Sequence, residues 1–146
     1  MTKTFDMQFI RYMNLFSRIT RVNAKHCFNY NNMLVFVING RDIERALGRE
    51  NSNLKKLSDV FGKRIRIVGE PLNEKDLKRF ISVVVHPIEF EEAEIIENQE
   101  TKEREVLIKT SGREPRAMLI GRNRLRETEL REILEQYFNI KVLRIN

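Results

Sequence analysis

Leu47-Gly48-Arg49-Glu50-Asn51 is the stretch on which the reading of this chain turns, because its setting is written twice. An apolar strand and a short helix lead into it, and a second helix and the strand Lys63-Arg64-Ile65-Arg66-Ile67-Val68 follow it. The same order returns around Ile120-Gly121-Arg122-Asn123-Arg124, which runs into a helix and the strand Ile140-Lys141-Val142-Leu143-Arg144-Ile145. Gly48 and Gly121 are 73 positions apart in a chain of 146 residues, so two copies of one small domain account for the whole sequence. That excludes one large catalytic core and points to a tandem binding module.

Working outward in the first copy, Phe5, Phe9, Tyr12, Met13 and Phe16 recur at helical spacing, which predicts an amphipathic helix from Thr4 to about Ile19 with its aromatic stripe in the core. Val22 to Phe28 reads as extended, Asn29-Tyr30-Asn31-Asn32 as the turn of a hairpin, and Met33-Leu34-Val35-Phe36-Val37-Ile38 as a continuous apolar strand. Tyr30 at the hairpin tip is then either an exposed aromatic able to stack on a base or an ordinary turn residue. Asp42 stands near the start of a short helix that stops at Gly48; Leu54 and Leu57 mark the inner face of the next, which Phe61-Gly62 breaks.

Gly69-Glu70-Pro71 marks a boundary between a domain at 1–70 and a domain at 71–146. In the second copy Asn73 caps a helix through Leu77, Phe80 and Ile81, which His86-Pro87 terminates because the residue before proline avoids helical geometry. Ile88, Phe90, Ile95-Ile96 and Val106-Leu107-Ile108, around Asn98-Gln99-Glu100, give a longer hairpin. Pro115 suits the first turn of the helix that ends at Gly121, and the last helix is expected to bury Leu125, Leu130, Ile133, Leu134, Tyr137 and Phe138, running about a turn longer than its counterpart.

Residues 1–70 hold 13 Lys and Arg against 6 Asp and Glu, whereas residues 71–146 hold 14 against 15, so the net charge of +6 resides in the first copy. A basic domain favours a polyanionic partner, since each phosphate neutralised releases condensed counterions; the plain alternative is a solvated charged face. The single cysteine, Cys27, allows no intramolecular disulfide, fits a reducing compartment and reads as a half-buried strand residue. No apolar run resembles a signal peptide or a membrane span, and the protein is read as cytoplasmic with no membrane partner.

The α-β-β-α-α-β order with a glycine loop between adjacent helices resembles the type II K-homology (KH) domain. Ile10-Arg11-Tyr12, Leu15-Phe16, a cysteine in the first strand, Ala46-Leu47-Gly48, Asn53-Leu54-Lys55-Lys56-Leu57 and Phe61-Gly62-Lys63-Arg64-Ile65-Arg66-Ile67-Val68 carry a resemblance to the archaeal NusA-like transcription factors, which consist of two such domains. The resemblance implies an α+β fold of two type II KH domains, each with a three-stranded sheet on helices. It implies a non-catalytic protein that binds single-stranded RNA, contacts RNA polymerase, and acts in transcription elongation or termination. Two alternatives stand beside it: a degenerate KH module that binds proteins, and a ribosome-associated RNA-binding factor.

In such a loop glycine lets the nucleic-acid backbone approach without a Cβ in the way, and the start of the following helix offers free NH groups and a positive dipole end to a phosphate. The corresponding positions are Gly48, Arg49, Glu50 and Asn51, and Gly121, Arg122, Asn123 and Arg124. The second glycine of the G-x-x-G pattern is replaced in both copies. Asn51 tolerates left-handed geometry, whereas Arg124 would cost about 1–2 kcal/mol there. Lys55 and Lys56 after the first loop and Arg64 and Arg66 on the closing strand complete the candidate RNA-binding set, with Lys63 beside them; Arg113, Arg116 and Arg126 extend it in the second copy.

Eight glutamates from Glu89 to Glu105 crowd the second hairpin, with Lys102 and Arg104 between them. They read as the wet face of a two-stranded ribbon that repels RNA or docks a basic protein, rather than as paired catalytic carboxylates or a cation site. His26 and His86 are far apart, and no Ser/His/Asp set, zinc spacing or phosphate-loop motif is present; no enzyme, metal or cofactor is expected.

Overall fold

The computed structural model describes residues 7–146, which leaves Thr4 and Phe5 of the expected first helix outside the described residues. The chain divides into two compact units, 1–70 and 71–146. Each has an α+β architecture with one three-stranded sheet on helices.

In the first unit α1 (Met7–Thr20) precedes β1 (His26–Tyr30), β2 (Met33–Ile38), α2 (Ile43–Leu47), α3 (Ser52–Phe61) and β3 (Arg64–Gly69). β2 lies in the middle, antiparallel to β1 and parallel to β3. A central strand covered on both faces has no wet side, and all six β2 residues are buried, which is why this segment reads as an unbroken apolar run. On one sheet face Cys27, Leu34, Phe36 and Ile38 join Phe9 and Phe16 of α1, Ala46 of α2 and Leu57 of α3, with Ile65 and Ile67 packed beside them. Phe16 stacks on Phe36 at 4.4 Å between ring centroids, and Tyr12 meets Phe61 edge-on at 5.0 Å, so the aromatic stripe of α1 forms the lid of this core.

The hairpin differs from the sequence expectation. Its turn is only Asn31-Asn32, both left-handed (φ 50° and 61°), the conformation that a two-residue hairpin requires and that asparagine adopts readily. The strands therefore run up to the turn, β1 begins at His26 rather than Val22, and Tyr30 pairs with Met33 as a strand residue. At 1% exposure Tyr30 is not available to stack on a base. Cys27 is buried, at 6% exposure, rather than half-buried, and burial pushes its thiol up to about 12, which disfavours the reactive thiolate.

The second unit repeats the order: α4 (Leu77–Val85), β4 (Glu92–Glu97), β5 (Arg104–Lys109), α5 (Arg113–Ile120), α6 (Leu125–Phe138) and β6 (Val142–Ile145). β4 and β5 are antiparallel, and β5 and β6 are parallel. Asn73 accepts a hydrogen bond from the Lys75 amide at 2.9 Å, and α4 stops where His86 turns extended before Pro87. Phe80 of α4 meets Tyr137 and Phe138 of α6 at 5.4 and 6.1 Å between ring centroids. α6 has 14 residues against 10 in α3, the extra turn expected from its apolar spacing. Leu125, expected inside, is 58% exposed: it is the first residue of α6, ahead of the inward stripe that starts at Leu130.

Among the described residues no helix is long and apolar enough to cross a membrane, and no three of His, Cys, Asp or Glu are placed to hold a metal ion.

Candidate nucleic-acid interface

The two glycine loops are copies in backbone as well as in sequence position. Gly48 has φ 78° and ψ 171°, and Gly121 has 77° and 171°. Glu50 (54°, 36°) corresponds to Asn123 (55°, 28°), and Asn51 (61°, 28°) to Arg124 (60°, 22°). Each glycine amide closes the preceding helix, Gly48 onto Glu44 O at 3.1 Å and Gly121 onto Ala117 O at 2.9 Å. Each glycine carbonyl then accepts from the residue three later, Asn51 at 3.1 Å or Arg124 at 3.2 Å.

Both loops thus hold two successive non-glycine residues in left-handed geometry, and each pair contains one asparagine. Asn51 and Arg124 are both left-handed, and the first loop holds a further residue there that the sequence did not suggest: Glu50 bears a cost of about 1–2 kcal/mol like that of Arg124 in the second. The strained residue is the third of the loop in the first copy and the fourth in the second, on one shared backbone.

A Cβ built on Gly48 would lie 2.9 Å from Asn53 Cγ, and one on Gly121 would lie 2.8 Å from Arg126 Cγ. These two neighbours are themselves repeat-related and act as latches. Arg126 Nη1 donates to Met118 O at 3.0 Å, and Asn53 Nδ2 reaches Arg45 O at 3.5 Å, so each side chain ties the helix after the loop to the last turn of the helix before it. Sequence reading assigned Arg126 to phosphate and passed over Asn53. Superposing the copies at the 73-residue offset singles both out, since each stands five residues after its glycine.

No side chain caps the start of α3 or α6, where the Ser52 and Leu125 amides donate to Arg49 O and Arg122 O, and the positive end of each helix lies at the loop. In front of the first loop lies an open depression of about 520 Å³ lined by Glu44, Arg45, Leu47, Gly48, Arg49 and Asn51. Arg49 on its lining and Lys55 and Lys56 on the helix that follows are exposed, and among the described residues none of them engages a carboxylate. Glu50 is also exposed and opposes them. The second loop offers less free charge. Arg122 is exposed and unpaired among the described residues, Arg124 pairs with Glu127 at 3.1 Å, and Arg116, expected on the basic rim, is tied through Nε to Ile145 O at 3.0 Å.

Arg64 and Arg66 do not join the loop. Ile65 and Ile67 face the helices, so strand alternation sends both arginines to the opposite sheet face, where Arg66 is registered with Val35. Burial first, and then the neighbouring Arg64 charge, lowers the pKa of the Arg66 guanidinium. The acidic hairpin is also more balanced than its composition suggests. Lys78 pairs with Glu92 at 3.5 Å, Arg104 with Glu97 at 3.7 Å and with Glu74, Lys141 with Glu103 at 3.2 Å, and Arg144 with Glu105 at 3.1 Å.

No protein-family model matches the chain. The fold is similar to that in the crystal structure of APE1850, with a TM-score of 0.68 and 25% identity over 96% of this chain and 99% of that one. In sequence, 83 residues (57% of the chain) are 34% identical to a curated protein of Methanococcus vannielii described as a probable transcription termination protein NusA, and the match spans 46% of that protein, about half its length.

Proposed function

We propose that the chain is a tandem pair of type II KH domains that binds single-stranded RNA without catalysis, as a transcription elongation or termination factor of the NusA type. The observation that carries the reading is the duplicated loop: a glycine, two left-handed residues and an uncapped helix start, reproduced at Gly48 and Gly121 to within 8° in every corresponding angle above. The positive end of a helix beside basic side chains suits a phosphate. The partial sequence similarity to a NusA-like protein and the +7 balance of residues 1–70 support the same reading.

RNA contact is centred on the first loop. Arg49, Lys55 and Lys56 are free to meet phosphates there, and the second loop adds Gly121, Arg122, Asn123 and Arg124 on the same backbone. RNA polymerase remains the proposed protein partner of the complex on the transcript. Fluorescence anisotropy with short single-stranded RNAs, repeated across salt concentrations with duplex RNA as control, tests the function. Saturable binding that prefers single strands and weakens with salt is expected; equal binding of duplex, or none at low salt, sinks the proposal.

A further inference from the structure

Because the two loops share one backbone, each position around Gly121 has a counterpart 73 residues earlier, and what changed between them is readable residue by residue. Lys55 and Lys56, the free lysines of α3, become Thr128 and Glu129 in α6. Glu44, Arg45 and Ser52 become Ala117, Met118 and Leu125. The second copy keeps a basic loop but lacks the two lysines on the helix that follows it, and it has apolar side chains on both sides of its glycine.

Those side chains are not core. Met118 is 43% and Leu125 58% exposed, three residues before and four residues after Gly121, and Ala117 is exposed beside them. In the same stretch of chain Arg113 and Arg122 are both exposed and unpaired among the described residues. Arg124 is 73% exposed and shares Glu127, and Glu114 is the opposing charge. The surface is therefore positive with two large apolar anchors, where the first loop is positive with none.

We infer that the face around Gly121 is a docking surface for an acidic amphipathic segment of another protein, with Met118 and Leu125 as anchors and Arg113 and Arg122 as the charges that select an acidic partner. Apolar anchors inside a charged rim make binding depend on a few side chains, and the arginines favour carboxylates over lysine-rich sequences. The inference goes beyond RNA binding: the second repeat adds a protein-facing surface to the backbone that it shares with the first.

The test uses the whole chain with two probes, a fluorescein-labelled amphipathic peptide of leucine and glutamate and a short single-stranded RNA. Met118→Arg with Leu125→Ser installs the residues that the first loop carries on the same backbone, so the fold should tolerate it; thermal unfolding of the variant checks this. Loss of the two anchors should weaken the peptide about tenfold or more while RNA affinity moves less than about twofold. Lys55→Gln with Lys56→Gln should do the reverse. The inference is overturned if the wild-type chain does not bind the peptide, or if the anchor variant binds it unchanged. It is overturned as well if the anchor variant loses RNA, making Met118 and Leu125 a base platform, or if it abolishes a self-association of the wild-type chain, making the occupant a second copy.

Discussion

Neutralising Lys55 and Lys56 together, as K55Q with K56Q, isolates the electrostatic part of the RNA contact. Both side chains are exposed on α3, neither engages a carboxylate among the described residues, and neither belongs to the hydrophobic core, so the change chiefly removes charge. With Arg49 they make three free cations at the first loop. At about 0.7 released counterions per phosphate for a single strand, three contacts give a log–log salt slope of about −2, hence roughly an 18-fold loss of affinity between about 50 and 200 mM salt. With two contacts removed the slope should fall to about −0.7 and the same salt change should cost only about threefold. Anisotropy titrations of one RNA against both proteins at several salt concentrations measure this. An unchanged slope in the double variant would refute the placement of RNA on the first loop, and a wild-type slope near −3.5 would mean that the second loop contributes about two phosphates of its own.

Gly48→Ala and Gly121→Ala should each destabilise the chain by about 1–3 kcal/mol in thermal unfolding, because φ near +78° with ψ near 171° is open almost only to glycine. The second should cost more: at Gly48 the new Cβ meets the tips of the Asn53 and Ser52 side chains, whereas at Gly121 it meets Arg126 Cβ and backbone N at 3.0 and 3.1 Å; equal losses would count against the latch geometry. Cys27, with its thiol pushed up to about 12 by burial, should resist alkylation in the native protein at mildly alkaline pH and react once the chain is unfolded. Native labelling at the unfolded rate would contradict its place in the core. The Asp76 carboxyl is held below its usual value, chiefly by the Arg79 hydrogen bond, with burial opposing and the Leu72 amide assisting. Its folded pKa lies below its unfolded one, so its stabilisation is present above about pH 4 and is lost as pH falls through the folded value. Asp76→Asn should therefore melt lower than the parent at neutral pH and converge with it in acid; a gap that persists in acid would assign the effect to packing.

Legibility followed the range of the interactions involved. The helix stripe Phe9, Tyr12 and Phe16, the apolar strand Met33–Ile38, the Asn73 cap and the stop at His86-Pro87 are local patterns, and each is found where its pattern puts it. The hairpin turn was misjudged at Tyr30 because four turn-forming residues in a row do not reveal that two asparagines suffice when both are left-handed. Leu125 was misplaced because periodicity within a helix does not say how far its first residue lies from the core.

The order of elements, the duplication and the two glycines are properties of the sequence alone, because helical and strand periods and a 73-residue offset are one-dimensional quantities. Which of the basic residues are free to act was decided only in three dimensions. Arg116 and Arg126 are spent on backbone carbonyls, and Arg124 is shared with Glu127. A cation's availability depends on which acceptors the fold brings within about 3 Å of it, and spacing along the chain does not contain that distance.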